Sequence, residues 1–364
     1  MIRMRLVADA INRRGLAKAI VSGRDRWEES NRKYKDDIVV MHNPGSHQQL
    51  KYIIDAHKFE WAKIVSDYDD NPFNLSPFND AYRWSGTADI IHDGKLLWHH
   101  GNHGFDLDRN AETVKRIRLS MRKSDMITTT VKPLADALKE TNDKCAVLPN
   151  CLDFSVWDEA RNHAINRDRE PGVVRIGWAG GSSHYEDMFM LNKLWKPLFK
   201  KHPNIRLVIF GCMFKGTVKE VPADRIENYA WVDVLQYPYK LATLGIDIAI
   251  IPLRETAFNS CKSPLKWLEF SALNIPCVCS NETPYKEVVS SEETGYLRDN
   301  ASMLSRRNGQ KSWESTLDNL IRDEILRKAV GQQAYEHVKA NYDIDKNCHL
   351  WTEAYSRLLN GEVT

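Results

Sequence analysis

The sequence predicts an α/β protein of the doubly wound, parallel-sheet type, divided into two domains. Three observations carry this reading. Short β-branched apolar runs recur at 38–41, 61–65, 125–130, 145–148, 173–178, 206–211, 246–252 and 276–280, and unalternating runs mark strands buried on both faces. Loops and helical-period segments lie between most of them, as crossover connections require. At 364 residues the chain can bury more than one core.

In chain order, residues 1–14 read as a helix with Ile2, Leu6, Val7, Ala10 and Ile11 on one side, ended by Gly15. Residues 24–37 are charged and expected at the surface. The strand at 38–41 leads into His42-Asn43-Pro44-Gly45 and a helix over 46–57. The strand at 61–65 runs into Asp67-Tyr68-Asp69-Asp70-Asn71. Carboxylates crowded at a strand's carboxyl end repel one another unless they serve something. Asp69 and Asp70 are therefore candidates for a reaction centre. An Asp-x-Asp metal site and an acidic solvent loop stay open beside it.

Residues 73–110 lack regular periodicity but hold many rings, among them Trp84, Trp98, His100 and His103. Flat rings stack on sugar faces or bases, so this stretch is the expected acceptor surface. A hydrophobic cluster that merely covers the sheet is the alternative. The next helix has a basic face of Lys115, Arg116, Arg118, Arg122 and Lys123, either solvated or turned to an anionic partner. A strand at 125–130, a helix at 133–139 and a strand at 145–148 follow. Residues 154–172 are polar enough for a hinge.

The second domain opens with the strand at 173–178 and the turn Gly180-Gly181-Ser182-Ser183-His184 before a helix from about 186. Glycine lets backbone approach a phosphate closely, and the helix start attracts it. A strand at 206–211 follows, then 227–232 with Tyr229 and Trp231, and a helix at 237–244. In 246–281 a buried strand is followed by a polar loop. Ser263 suits an N-cap and Pro264 the first helical position. Leu265, Trp267, Leu268, Ala272 and Leu273 give this helix its apolar side, Asn274 ends it, and another buried strand follows Pro276. Lys262 and Lys266 flank the turn and Glu269 lies one turn on. Ligands of open α/β sheets bind at this edge. A strand at 294–297, helices over 311–341 and a last helix at 348–359 complete the chain.

Glu269 with Phe270-Ser271-Ala272-Leu273-Asn274-Ile275-Pro276 resembles the second half of the donor-site motif of the retaining group 1 (family 4) glycosyltransferases of the GT-B fold. The motif's first acid falls on Cys261. The run SDMITTTVKPLADAL…VLPNCLD at 124–153 resembles the end of the amino-terminal domain in the same family. Gly181-Ser182-x-His184-x-x-Asp187 resembles a divergent branch of it.

The resemblance implies two Rossmann-like domains facing a central cleft. Residues 1–165, completed by a C-terminal helix at 347–364 that crosses back, would form the acceptor side, and 170–345 the donor side. It places donor contacts at Gly180, Gly181, Ser182, His184, Asn259, Lys262, Ser263, Pro264 and Leu265, the base near Tyr229 and Trp231, and the ribose on Glu269. Relatives place an arginine and a lysine near the glycine turn to meet the diphosphate charge and this chain has neither, so Lys262 and Lys266 are expected to take that charge instead, with Lys266 catalytic; Asp69 or Asp70 would hold or deprotonate the acceptor. Transfer with retention, a nucleotide-diphosphate sugar as co-substrate and no metal or other cofactor are further implications. Members of the family begin with a strand and a Gly-rich loop that this sequence lacks, so a late start or a lost first strand is expected. The acceptor is expected to be a glycan or other surface polymer. The Asp67–Asn71 strand end also resembles glycosyltransferases of tailed bacteriophages, some of which decorate hydroxymethylated DNA bases. The missing first acid leaves open a nucleotide-sugar-binding protein without turnover.

Composition fits these expectations. Apolar content of 42%, charged content of 27% and a net charge of +2 belong to an ordinary globular chain and neither demand nor exclude a polyanionic partner. No segment approaches eighteen apolar residues and no signal-peptide core stands at the amino terminus, so a cytoplasmic location is expected. The seven cysteines have no regular spacing and read as reduced thiols. Oligomeric state is left open.

Overall fold

The computed structural model describes residues 2–22, 37–164, 170–305 and 311–362. The charged segment expected at the surface, 24–36, lies outside the described residues, as does the side chain of Ile2. The chain divides into two compact units. The first comprises Met1–Asn150, Ser260–Ser263 and Ile344–Thr364; the second comprises Cys151–Asn259 and Pro264–Asp343.

The first unit contains β1 (Ile38–His42), β2 (Lys63–Tyr68), β3 (Ile90–His92), β4 (Lys95–Trp98), β5 (Met126–Thr129) and β6 (Cys145–Val147). Strands β1-β2-β5-β6 form one parallel sheet. Tyr52, Ile53, Ala56 and Ile64 fill one cluster of its core, and Tyr68, Met121, Ile127, Leu134 and Leu138 another. The helix His47–Phe59 starts on a full capping box, Ser46 with Gln49, which satisfies two otherwise orphaned N–H groups. The closing helix, His349–Leu359, buries Trp351 and Leu358, and Leu358 packs on Val65 and Met126. The tail therefore folds with the first unit.

Strand β2 starts two residues later than expected and extends through Asp67. Asp67 is therefore an in-sheet residue with a fixed direction. Within 73–110 the structure has a hairpin, β3–β4, turned by Asp93-Gly94 at φ 49° and 71°. Asp-Gly is a strong hairpin signal, overlooked because the flanking run is short.

The second unit holds β7 (Val174–Gly180), β8 (Ile205–Gly211), β9 (Ile226–Tyr229), β10 (Ile248–Ile251), β11 (Cys277–Ser280) and β12 (Tyr296–Arg298). They order as β12-β11-β10-β7-β8-β9, all parallel. Alternate residues feed two cores: Ala249, Ile251, Cys277 and Cys279 enter one, and Ile248, Ile250 and Val278 the other. Helices cover both faces, which is why these strands read as unbroken apolar runs. Chain order reverses between β7 and β10, and such a switch point opens a crevice at the carboxyl edge.

The expected hinge at 154–172 is corrected in part. Phe154–Ala164 is a helix whose Phe154, Trp157 and Ala160 are buried in the second unit; these apolar residues, three apart, outweigh the polar residues between them. Residues 165–169 lie outside the described residues.

Candidate active site

The switch point of the second unit gathers side chains from four loops. After β7, Gly180-Gly181 turns into a short 3-10 segment, Ser182–His184, and the helix Tyr185–Phe189. The His184 Nδ1 lies 2.7 Å from Asp187 Oδ2. Asp187 is buried, and its other oxygen accepts from the Arg254 backbone N–H (2.8 Å) and the Asn259 amide (3.1 Å). A buried carboxylate must be so satisfied. Here it ties the β7 turn to the loop after β10 and orients His184. Arg254 also pairs with Glu186. Sequence reasoning places Asp187 in a motif without giving it a role and misses Arg254; both roles depend on two loops meeting.

The helix Leu265–Ala272 enters the same edge. Ser263 was expected to cap it, but the N-cap position is Pro264, without a side-chain cap. The Ser263 hydroxyl instead accepts from the Asn150 amide at 2.8 Å, and Lys262 and Ser263 fold with the first unit. Asn274, at φ 59°, closes the helix in the left-handed conformation asparagine tolerates. Lys266 places its ammonium 5.9 Å from the Trp178 ring, which meets His184 edge-on at 6.2 Å. Glu269, one turn further, accepts from the Tyr237 hydroxyl at 2.9 Å. Burial pushes the Glu269 carboxyl up to about 7, against the opposing pull of Lys266 and the Tyr237 hydroxyl.

Trp231 is half exposed and packs on Phe210 and Tyr237, leaving ring surface for a flat ligand at the end of β8. Gly211 makes room for it. At φ 110° its absent Cβ would lie 2.5 Å from the Gly180 carbonyl oxygen and 2.7 Å from the Trp231 ring. Gly211→Ala is therefore expected to cost about 1–3 kcal/mol and to displace Trp231; urea unfolding and tryptophan fluorescence check both. Tyr229 is directed elsewhere: its hydroxyl donates to Glu227 at 2.9 Å and Lys240 covers its ring.

At the carboxyl edge of the first unit, strand register aligns His42 with Asp67 and Asp67 with Thr128. Asp67 is fully buried. It accepts from Thr128 Oγ1 at 2.7 Å and Arg3 Nε at 3.2 Å, and lies 3.1 Å from His42 Nδ1. Burial raises its pKa, but His42, Arg3 and Thr128 together bring it below the usual carboxylate range. Asp69 is partly exposed, accepts from the Asn43 amide at 3.1 Å and stands 3.7 Å from His42 Nε2. Asp70 is exposed. The two carboxylates of Asp67-x-Asp69 thus bracket an imidazole. Among the described residues no group of three His, Cys, Asp or Glu side chains is arranged to hold a metal ion.

Cys261 sits in the apolar cluster of the first unit with Tyr68, Met121 and Leu134. Burial, offset by Asn71 and Ser260 and supplemented by Asp70, raises its thiol pKa.

Of the expected acceptor residues, Trp84 is exposed, with the Arg109 guanidinium over its ring at 4.7 Å. Trp98 instead belongs to a cluster with Tyr82 and Phe105 and donates to the Pro77 carbonyl. His100 accepts from the Leu107 N–H at 3.1 Å, and His103 is an exposed turn residue at φ 46°. Trp84, His100 and His103 are thus the exposed members of this set, and Trp98 is half-buried. A cavity of about 500 Å³ lined by Arg161, Asp247 and Arg327 opens at the opposite, amino edge of the second sheet, away from the loops that carry ligands in such sheets.

Residues 179–337 match the family model described as glycosyl transferases group 1. Among solved structures, the chain is similar to sucrose-phosphate synthase of Thermosynechococcus elongatus (12% identity, TM-score 0.58, covering 93% of this chain and 77% of that one). It is also similar to Anabaena HepE in complex with UDP and glucose (12%, 0.58, 93% and 84%). A third similarity is to TarM, of S. aureus, at 12% identity and TM-score 0.54, covering 87% of this chain and 54% of TarM. The chain thus spans about half of TarM's length. No curated protein matches in sequence. At these identities the structural likenesses establish the GT-B fold, with its two Rossmann-like domains.

Proposed function

We propose that this glycosyltransferase, a GT-B protein with a group 1 domain over most of its second unit, draws on a nucleoside-diphosphate sugar bound at the β7/β10 edge. One observation carries the reading. Around a single glycine turn stand a carboxylate-oriented imidazole, an ammonium, a half-buried carboxyl and a half-exposed indole: His184, Lys266, Glu269 and Trp231. Each answers a different part of such a donor. The backbone at Gly180-Gly181 and the Lys266 ammonium meet the diphosphate and stabilise the charge that develops as it leaves. His184 hydrogen-bonds a phosphate or the sugar, Glu269 takes the ribose hydroxyls, and Trp231 gives the base a flat surface. Lys262, Ser263, Pro264 and Leu265 are assigned to the donor through the resemblance. Asn259 supports it indirectly, through Asp187.

The acceptor we propose is a glycan or other surface polymer, held on the Trp84 side of the first unit, with Asp69 beside the acceptor hydroxyl, in a cytoplasmic enzyme that needs no metal. Several cations of the basic helix are engaged within the unit: Lys115 with Glu112, Arg116 with the Gly45 carbonyl and Arg118 over Phe73. This favours a glycan over DNA. Retention of anomeric configuration is proposed on the family likeness and is checked by the anomeric proton coupling of the product.

The test is a panel of nucleotide sugars read by thermal shift and by release of nucleoside diphosphate. Stabilisation by one donor together with diphosphate release is expected. Binding without release would leave a mere binder, and no shift with any donor would end the reading. With the active donor in hand, a DNA acceptor would show transfer falling steeply with salt; transfer insensitive to salt is expected. Asp69→Asn is expected to lower turnover more than donor affinity, and the reverse in steady-state kinetics would move Asp69 to the donor.

A further inference from the structure

We propose that Tyr237 is a positioning residue of the nucleotide site. Its ring backs the Trp231 indole that takes the base, and its hydroxyl holds the Glu269 carboxylate toward the ribose. The inference rests on the proposed donor site and adds to it a residue that neither the motif nor the resemblance singles out. Every group involved belongs to the second unit.

Tyr237 opens the helix Tyr237–Thr243 and stands 32 residues from Glu269 in sequence. Its ring is fixed on three sides. It lies nearly parallel to the buried Phe210 ring (centroids 5.4 Å apart, 13° between planes), 6.0 Å from Trp231 and edge-on to Trp157 at 6.3 Å. Ring pairs at such separations attract, so the hydroxyl has one direction to point. It donates to Glu269 Oε2 at 2.9 Å, and among the described residues Oε1 accepts no hydrogen bond. One carboxylate oxygen is thus held and the other left for a ligand hydroxyl. Burial and the neighbouring carboxylate keep the phenol well above its usual value of 10, so it stays a donor. Among the described residues, the titratable groups facing Glu269 are Lys266 of its own helix, Tyr237, and Tyr285 of the helix Tyr285–Val288. Trp231 and Glu269 therefore meet in one side chain, and a shift of Tyr237 moves the base surface and the ribose acid together.

The arrangement gives nucleotide binding a pH dependence of defined sign. Ribose hydroxyls donate more strongly to a carboxylate than to a protonated carboxyl. Affinity should therefore rise as pH passes through the Glu269 value of about 7 and level off above it. The Tyr237 hydroxyl favours the ionised carboxyl against burial, so removing it moves that rise upward. A hydrogen bond to a charged group is worth about 10-fold or more, which corresponds to about one pH unit or more.

The experiment starts from a panel of UDP-, GDP-, ADP-, CDP- and dTDP-sugars, and the one that most stabilises the wild type is titrated calorimetrically between about pH 6 and about pH 9. Their diphosphates, esterified at both ends, do not titrate in this range. Tyr237→Phe keeps the ring contacts and should melt close to wild type. Its affinity should be about 3- to 20-fold weaker near pH 7.5, with the rise moved up by about one pH unit or more. In a Glu269→Gln background no carboxylate remains to be held. There Tyr237→Phe should leave the pH profile unchanged and alter affinity less than about 2-fold, as a double-mutant cycle requires of two residues that act together. An unmoved profile, an equal loss in both backgrounds, or a Tyr237→Phe variant that no longer folds overturns the assignment, since each reduces Tyr237 to a packing element. Wild-type affinity that does not vary with pH removes the ribose role of Glu269 and the positioning role with it. If no sugar of the panel binds, the donor reading fails first, and the Tyr237 assignment falls with it.

Discussion

Replacing Lys266 with alanine is expected to lower sugar transfer by about 10²–10³-fold, the cost of removing one preorganised stabiliser of developing charge, while the protein stays folded. Lys266 is half-buried at the start of its helix, beside Trp178 at the end of β7. The ammonium can therefore be removed without opening the core, which Trp267 and Leu268 hold on the buried side. The loss should appear in kcat more than in KM, because the charge it meets grows as the diphosphate departs. Steady-state kinetics on the active donor, with a melting curve of the variant, makes the check. Unchanged kcat in a folded variant would remove the diphosphate role. A second consequence reaches Glu269. Lys266 holds that carboxyl down against burial, so the alanine variant should keep Glu269 protonated to higher pH.

Glu269→Gln should separate stability from function. The carboxyl lies near 4.5 when unfolded and is pushed up to about 7 in the fold, so the folded state holds the proton more tightly. Its contribution to stability is fully present below 4.5 and is lost as pH rises through 7. Above that window the native protein carries a buried charge that glutamine would not. At pH 8 the variant should be more stable by up to about 3 kcal/mol, the free energy of such a shift at roughly 1.4 kcal/mol per pH unit, and equal to or less stable than wild type near pH 4. Above pH 7, where the carboxyl is ionised, nucleotide affinity should fall about 10- to 100-fold, because ribose hydroxyls lose hydrogen bonds to a charged partner. Urea unfolding at the two pH values and calorimetric titration with nucleotide read the two effects separately. An unaltered dissociation constant would argue against the ribose role, whatever happens to stability.

Much of the fold and several residues of the proposed site could be read locally. The Gly180-Gly181 turn, Lys266 and Glu269 lie in short segments whose pattern fixes both their secondary structure and their place at a strand's carboxyl end. Asn274 and Pro276 mark the helix end and the strand start without help from elsewhere. The structure adds partners that local patterns do not name. Ser263 looked like a cap because its local chemistry suits one, yet Asn150, 113 residues away, takes its hydroxyl. Tyr229 looked like a base platform, but Glu227 and Lys240 engage it. Trp98 looked available and is fixed to the Pro77 carbonyl. In each case the sequence shows what a group can do, and competition among partners decides what it does.

Sequence alone determined that the strands are buried on both faces, that the sheets are parallel and that one helix start carries an ammonium beside a later carboxyl. Those properties follow from periodicity, breakers and spacing, all of which act over a few residues. Only tertiary structure decided that Asp67 faces inward to Arg3, Thr128 and His42, that Asp187 joins two loops to aim His184, and that Glu269 is desolvated enough to hold its proton near neutrality. Desolvation and hydrogen-bond partnership depend on what surrounds an atom in three dimensions. For a buried carboxylate the surroundings come from strands and helices tens of residues apart, so its chemistry is set when they pack.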